Sequence, residues 1–240
     1  MKLDILAFGV HPDDIELCCS GTLMVEMSRG KKAGVIDLTR GEMGTRGTAE
    51  TRKVEAEKAA EIMGIHVREN LGMRDCFFEK DEAHRLQIIQ KIRQYRPDIV
   101  FCNAVEDRHP DHGRAAKLVK DSCFLSGLIK INTSLDGILQ EAWRPKFVIH
   151  YIQDRYLQPD FVVDITDVYE RKMKSVLAYS TQFYNPDLNE PETYISTPAF
   201  MESIESRNRI FGRMIGVGYA EGFMSDQMPG VRSVYDLLTP

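Results

Sequence analysis

The chain has 240 residues, 43% of them hydrophobic and 28% charged, with a formal net charge of −5. That balance excludes a disordered chain, and its acidic sign removes any electrostatic ground for nucleic acid or an anionic membrane as partner. Five cysteines, an odd number with no CxxC spacing, fit reduced thiols in the cytoplasm rather than a disulfide framework or a thiolate zinc site.

The length suits one α/β domain over residues 1–240. The first apolar stretch is too short, and is broken by Asp4, to serve as a signal peptide or membrane span. From there strand and helix patterns alternate. Residues 3–10 read as a buried parallel strand, and residues 15–29 carry apolar positions at helical spacing. Ala33–Thr39 is the next strand, and a Gly/Arg-rich loop over 40–48 leads to a helix at 49–63. A strand at 67–71, a helix at 81–95 and a strand at 98–104 follow, then a helix beginning near Gly113. Residues 146–152 and 161–165 read as further strands, 168–179 and 200–215 as helices. Such a succession predicts a Rossmann-like, mostly parallel sheet with helices on both faces.

In the usual doubly wound order the first strand lies beside the fourth, and ligands bind beyond their carboxyl ends. The loop after the first strand is His11-Pro12-Asp13-Asp14; the loop after the fourth is His109-Pro110-Asp111-His112. A catalytic zinc site needs three His or carboxylate ligands and one open position. His11 and Asp14, three residues apart at a helix entry, supply two, and the second loop offers His109 and His112. Taken alone, the Asp pair is equally at home as a helix N-terminal anion and each histidine as an ordinary polar residue. Their meeting on facing loops points to a metal.

The paired HPDD and HPDH motifs resemble the PIG-L/LmbE-like family of zinc-dependent N-acetylglucosaminyl deacetylases. The resemblance continues through Leu38-Thr39-Arg40-Gly41-Glu42, Thr51-Arg52-Lys53-Val54-Glu55 and Met73-Arg74-Asp75. Tyr219-Ala220-Glu221-Gly222-Phe223 is similar to a segment of the branch that works in bacillithiol biosynthesis. It implies a Rossmann-like fold, one zinc ion per chain held by His11, Asp14 and His112, and Asp13 as general base. It also implies that His109 is an electrostatic partner of the reaction centre, oriented by Asp111; protonated through that pairing, it would donate to the developing oxyanion. Iron(II) accepts the same donor set.

By the same resemblance Arg52 and Asp75 hydrogen-bond sugar hydroxyls, although an ion pair is the plainer reading of each. Arg40, Arg46, Arg74 and Arg108 are expected at the same rim, Arg108 as a substrate contact. Such a mouth suits an anionic aglycone, as in the malate conjugate of N-acetylglucosamine. Phe200 stands where some relatives carry a tyrosine, and Tyr194 is read as loop packing. Cys18 and Cys19 are expected in the core. The partner is a small glycoside, and bacillithiol-type relatives imply a homo-oligomer, a hexamer. Three alternatives remain open: an amidohydrolase or deacetylase of another N-acetylated sugar or thiol conjugate, a phosphoesterase needing a second metal, and a sugar-binding module with a structural ion.

Overall fold

A computed structural model describes residues 1–238; the last two positions of the expected domain lie outside the described residues. Strand β1 (Ile5–Gly9) is buried at every position, as an unbroken apolar run demands, since neither face can meet water. Alternate side chains of β1 feed two cores. Leu6 and Phe8 pack with Ile36, Val100 and Leu118, whereas Ile5 and Ala7 pack with Ile15, Leu23 and Phe101. The second core is closed by α1 (Asp14–Cys18) and α2 (Ser20–Ser28), and the first by α4 (Glu82–Tyr95) and α5 (Pro110–Leu125).

The remaining elements in chain order are β2 (Ala33–Thr39), α3 (Ala49–Met63), β3 (Val67–Met73), β4 (Ile99–Cys102), a small hairpin of β5 (Ser134–Leu135) and β6 (Ile138–Leu139), β7 (Phe147–Tyr151), β8 (Phe161–Asp164), α6 (Tyr169–Leu177), α7 (Pro198–Ile215) and β9 (Ala220–Met224). Seven strands form one sheet in the order β3-β2-β1-β4-β7-β9-β8. The pairs from β3 to β7 are parallel, and β9 runs antiparallel to both β7 and β8. The mostly parallel α/β architecture read from the alternation is the one found, with β1 beside β4.

Three local features differ from the sequence reading. The helix expected over 15–29 is broken at Cys19 (φ −143°, ψ 5°), whose side chain does not cap α2. The Glu221 carboxylate of β9 caps α2 instead, accepting from Gly21 N at 3.0 Å and Thr22 N at 2.7 Å. β9 itself carries no strand pattern of its own, because Gly222 interrupts it; a Cβ there would meet the Phe211 ring at 2.7 Å. Finally, α5 starts at Pro110 rather than near Gly113, with His109 as its N-cap and proline at the position where its missing N–H costs nothing.

Candidate active site

The pairing of Ile5 with Ile99 and Ala7 with Phe101 brings the carboxyl ends of β1 and β4 together, and the chain turns into a helix after each. Asp13, just before α1, takes φ 132° and ψ −26°, a conformation rare for a residue with a Cβ. Such strain, roughly 1–3 kcal/mol, persists only where the surroundings over-determine it. Asp14 supplies that constraint. Its Oδ2 accepts from the backbone N–H groups of Val10 and His11 at 2.9 and 3.0 Å and from Asn103 Nδ2 at 2.9 Å. Its Oδ1 accepts from Gln153 Nε2 at 3.0 Å and lies 3.3 Å from His112 Nε2.

Each histidine presents one nitrogen to this carboxylate and gives the other to a second acid. His11 turns Nδ1 toward Asp14 Oδ2 at 3.9 Å, and its Nε2 meets Asp75 Oδ1 at 3.0 Å. His112 turns Nε2 inward, and its Nδ1 meets Asp107 Oδ2 at 2.5 Å. Carboxylate-bound histidines of this kind have their tautomer and ring plane set for metal ligation. One donor atom from each of His11, Asp14 and His112 lies within 4.8 Å of the others. A tetrahedral ion with bonds of about 2.0–2.1 Å separates neighbouring donors by about 3.3–3.4 Å, so the set fits a divalent cation with small rotations. The electrostatics agree. Burial opposes a charged His112 ring, yet Asp14 and Asp107 outweigh it and raise its pKa to about 10. Burial also opposes ionisation of Asp14, but His112 and His11 hold its carboxyl well below the usual range. The pocket demands positive charge at this point.

Asp13 has the opposite tendency. Burial pushes its carboxyl up to about 7, against Arg52, with Asp14 adding to the rise. The Arg52 guanidinium, 6% exposed, approaches Asp13 Oδ2 at 3.6 Å and is anchored by Gln182 Oε1 and the Gly41 carbonyl. Gly41, at φ +65°, leaves the room for it: a Cβ there would fall 1.7 Å from Arg52 Nη1.

These residues line one cleft of about 340 Å³. It contains His11, Asp13, Asp14, Arg52, Asp75, Arg108, His109 and His112, whereas Asp111 sits behind its wall. One expectation needs correction. Asp111 does not present its carboxylate to His109: Oδ2 accepts from Cys76 N at 3.0 Å and Oδ1 faces Arg114 at 3.1 Å. It is the backbone N–H of Asp111 that donates to His109 Nδ1, at 3.3 Å, because His109 caps the helix. Burial, then the neighbouring His11 and His112, lowers the pKa of His109, so the ring is neutral with its hydrogen on Nε2. Asp75 lines the cleft and binds His11 Nε2, Met43 N and Cys76 N. Against burial, His11 holds it down to about 2. At the rim Arg108 pairs with Asp154 at 3.3 Å and lies 4.2 Å from the centre of the Tyr194 ring. The Tyr194 hydroxyl donates to Asp154 at 3.0 Å and its ring packs on Phe200, so this tyrosine faces the cleft rather than merely filling a loop.

Asp107, Asn103, Gln153 and Gln182 carry no motif that singles them out in the sequence. Asn103 and Gln153 follow the apolar runs of β4 and β7 at the carboxyl edge of the sheet, the position at which open α/β sheets carry their sites.

A strained acid beside a two-histidine, one-carboxylate cluster in a closed-backed cleft defines a metal-dependent hydrolytic centre on an α/β sheet. The family model of PIG-L, GlcNAc-PI de-N-acetylase, matches residues 6–123. A diacetylchitobiose deacetylase of Thermococcus kodakarensis is 29% identical over 238 residues, covering 95% of this chain and 84% of the relative. A conserved protein of Thermus thermophilus, known by crystal structure, is 35% identical with a TM-score of 0.85, covering 97% of this chain and 98% of that one. A probable N-acetyl-alpha-D-glucosaminyl L-malate deacetylase 2 of Bacillus anthracis is 25% identical over 199 residues, covering 75% of this chain and 81% of the relative. The chain belongs to the PIG-L family and is a metal-dependent N-deacetylase.

Proposed function

We propose that this protein hydrolyses the N-acetyl group of an N-acetylglucosamine conjugate with one zinc ion, and that the conjugate is N-acetylglucosaminyl-malate. The observation that carries the reading is the His11–Asp14–His112 cluster with the buried Asp13 carboxylate one residue from a ligand. His11, Asp14 and His112 would hold the ion. When bound, zinc supplies Lewis acidity toward the acetyl carbonyl and lowers the pKa of water to about 7.

The chain's own residues do the rest. Asp13 takes a proton from the attacking water as its oxygen bonds to the carbonyl carbon, and passes it to the sugar nitrogen as the C–N bond breaks. Acetate and the free amine leave, and the carboxylate is restored. Arg52 fixes the Asp13 carboxylate and limits its rise in pKa. His109, neutral and fixed through Nδ1, offers its Nε2 hydrogen to the oxygen on which charge develops.

The Thermococcus relative favours a second reading, N,N'-diacetylchitobiose as substrate. Acetate release from N-acetylglucosaminyl-malate, N,N'-diacetylchitobiose and N-acetylglucosamine, with and without a chelator, decides between them. The malate conjugate is expected to be cleaved fastest and only by metal-loaded protein. Turnover that survives complete chelation, or none on any of the three, overturns the proposal.

A further inference from the structure

Four arginines line the cleft, and three are committed. Arg52 is anchored by Gln182 and the Gly41 carbonyl and faces Asp13. Arg207 donates to the carbonyls of Gln153 and Leu17. Arg108 pairs with Asp154. The fourth, Arg46, is 5% exposed, yet among the described residues its guanidinium donates no hydrogen bond and its Nε is a buried donor with no partner. Its one counter-charge is Glu190 Oε2 at 3.6 Å, and that oxygen already accepts from Gly47 N at 3.1 Å. The Arg46 main chain is pinned by Gln182 Nε2, which donates to its carbonyl at 2.7 Å, so the side chain is presented from a fixed point.

An arginine cannot shed its charge, and a buried guanidinium with idle donors is destabilising unless a ligand supplies acceptors. We propose that Arg46 is the specificity-determining residue of the cleft: it binds an anionic group on the part of the substrate remote from the acetamide, and Glu190 holds its place until that anion arrives. The recognised chemistry is a carboxylate or phosphate whose paired oxygens match the guanidinium fork. The inference rests on the deacetylase reading of the site and adds how its substrate is chosen.

The test compares kcat/KM for N-acetylglucosaminyl-malate, N-acetylglucosamine 1-phosphate and neutral N,N'-diacetylchitobiose in the metal-loaded wild type, R46Q, R46K and E190Q. R46Q is expected to lower the ratio of anionic to neutral substrate at least tenfold, R46K to recover part of it, and E190Q to raise it. The anion whose ratio collapses identifies the group read. A ratio within twofold of wild type in R46Q, or an equal loss on all substrates, overturns the proposal. Should R46Q not fold, R46K carries the comparison, because it keeps the charge and loses the fork. Calorimetric titration of malate and of inorganic phosphate into the metal-loaded wild type and R46K needs no turnover. If no conjugate is deacetylated, the deacetylase reading fails while this titration still decides Arg46. Binding of neither anion to the wild type, or binding undiminished in R46K, sinks the inference.

Discussion

Asp13 and Asp14 are adjacent carboxyls with opposite protonation tendencies, and the difference suits them to separate work in the proposed mechanism. Asp14 accepts four hydrogen bonds and stays ionised; Asp13 accepts none among the described residues and is pushed up to about 7 by burial. Neighbouring acids separated in this way divide into ligand and proton carrier. Asp13→Asn, which keeps shape and loses basicity, is expected to lower kcat by about 10²–10⁴-fold with metal content unchanged. Acetate release and elemental analysis on the same preparation check this, and turnover above a tenth of wild type would remove Asp13 from the role. Asp107 acts one bond further out, setting the tautomer of His112. Asp107→Asn should weaken metal binding about 10–100-fold, measured by competition with a chromophoric chelator. The HPDD and HPDH motifs made the His11–Asp14–His112 cluster readable because they sit in two short runs. Asp107, Asn103, Gln153 and Gln182 were not, since each acts through a side-chain contact that neither spacing nor composition encodes. The sequence also misled about Asp111, whose residue type was right for the site while its hydrogen-bond partners depend on packing.

Among the elements, the joint between α1 and α2 depends on charges buried far from the metal. Lys172 of α6, wholly buried, donates to the Glu16 and Leu17 carbonyls at the end of α1 and pairs with Glu221 of β9 at 2.7 Å. Glu221 in turn caps α2. Lys172→Met leaves the buried Glu221 side chain without its counter-charge, which should cost on the order of 3–5 kcal/mol. Adding Glu221→Gln should recover part of the loss, because no charge is then stranded. Denaturant unfolding of both variants measures it, and a single variant within 1 kcal/mol of wild type, on the order of the loss from an exposed pair, would deny the joint its importance. Periodicity located the strands and helices well in the first half of the chain, where buried runs are unbroken. It failed at Cys19 and at β9, where a distant carboxylate and a glycine packed on Phe211 replace the local signals of capping and alternation.

For the molecule as a whole, two helix entries are drawn toward one point by a sheet that does not otherwise need them there. Binding an ion to the folded state alone stabilises it by mass action, about 4 kcal/mol when the free ion exceeds Kd a thousandfold. For a chain of this size that amounts to roughly 8–16 °C in Tm. Calorimetry of chelator-stripped and reloaded protein is expected to show a rise in this range. Equal melting of the two forms would mean that His11, Asp14 and His112 do not meet around an ion. Whole-molecule topology was the most legible level: β-α alternation placed β1 next to β4, whereas the antiparallel edge formed by β9 and β8 and the separate β5–β6 hairpin lay beyond it.

The backbone at Asp13 turns through φ 132° while carrying a side chain that burial disfavours in its charged form. Under the proposed mechanism a glycine that relaxed this turn would remove the proton carrier and leave the buried Arg52 without its carboxylate. A campaign that selects for heat resistance must therefore score acetate alongside survival.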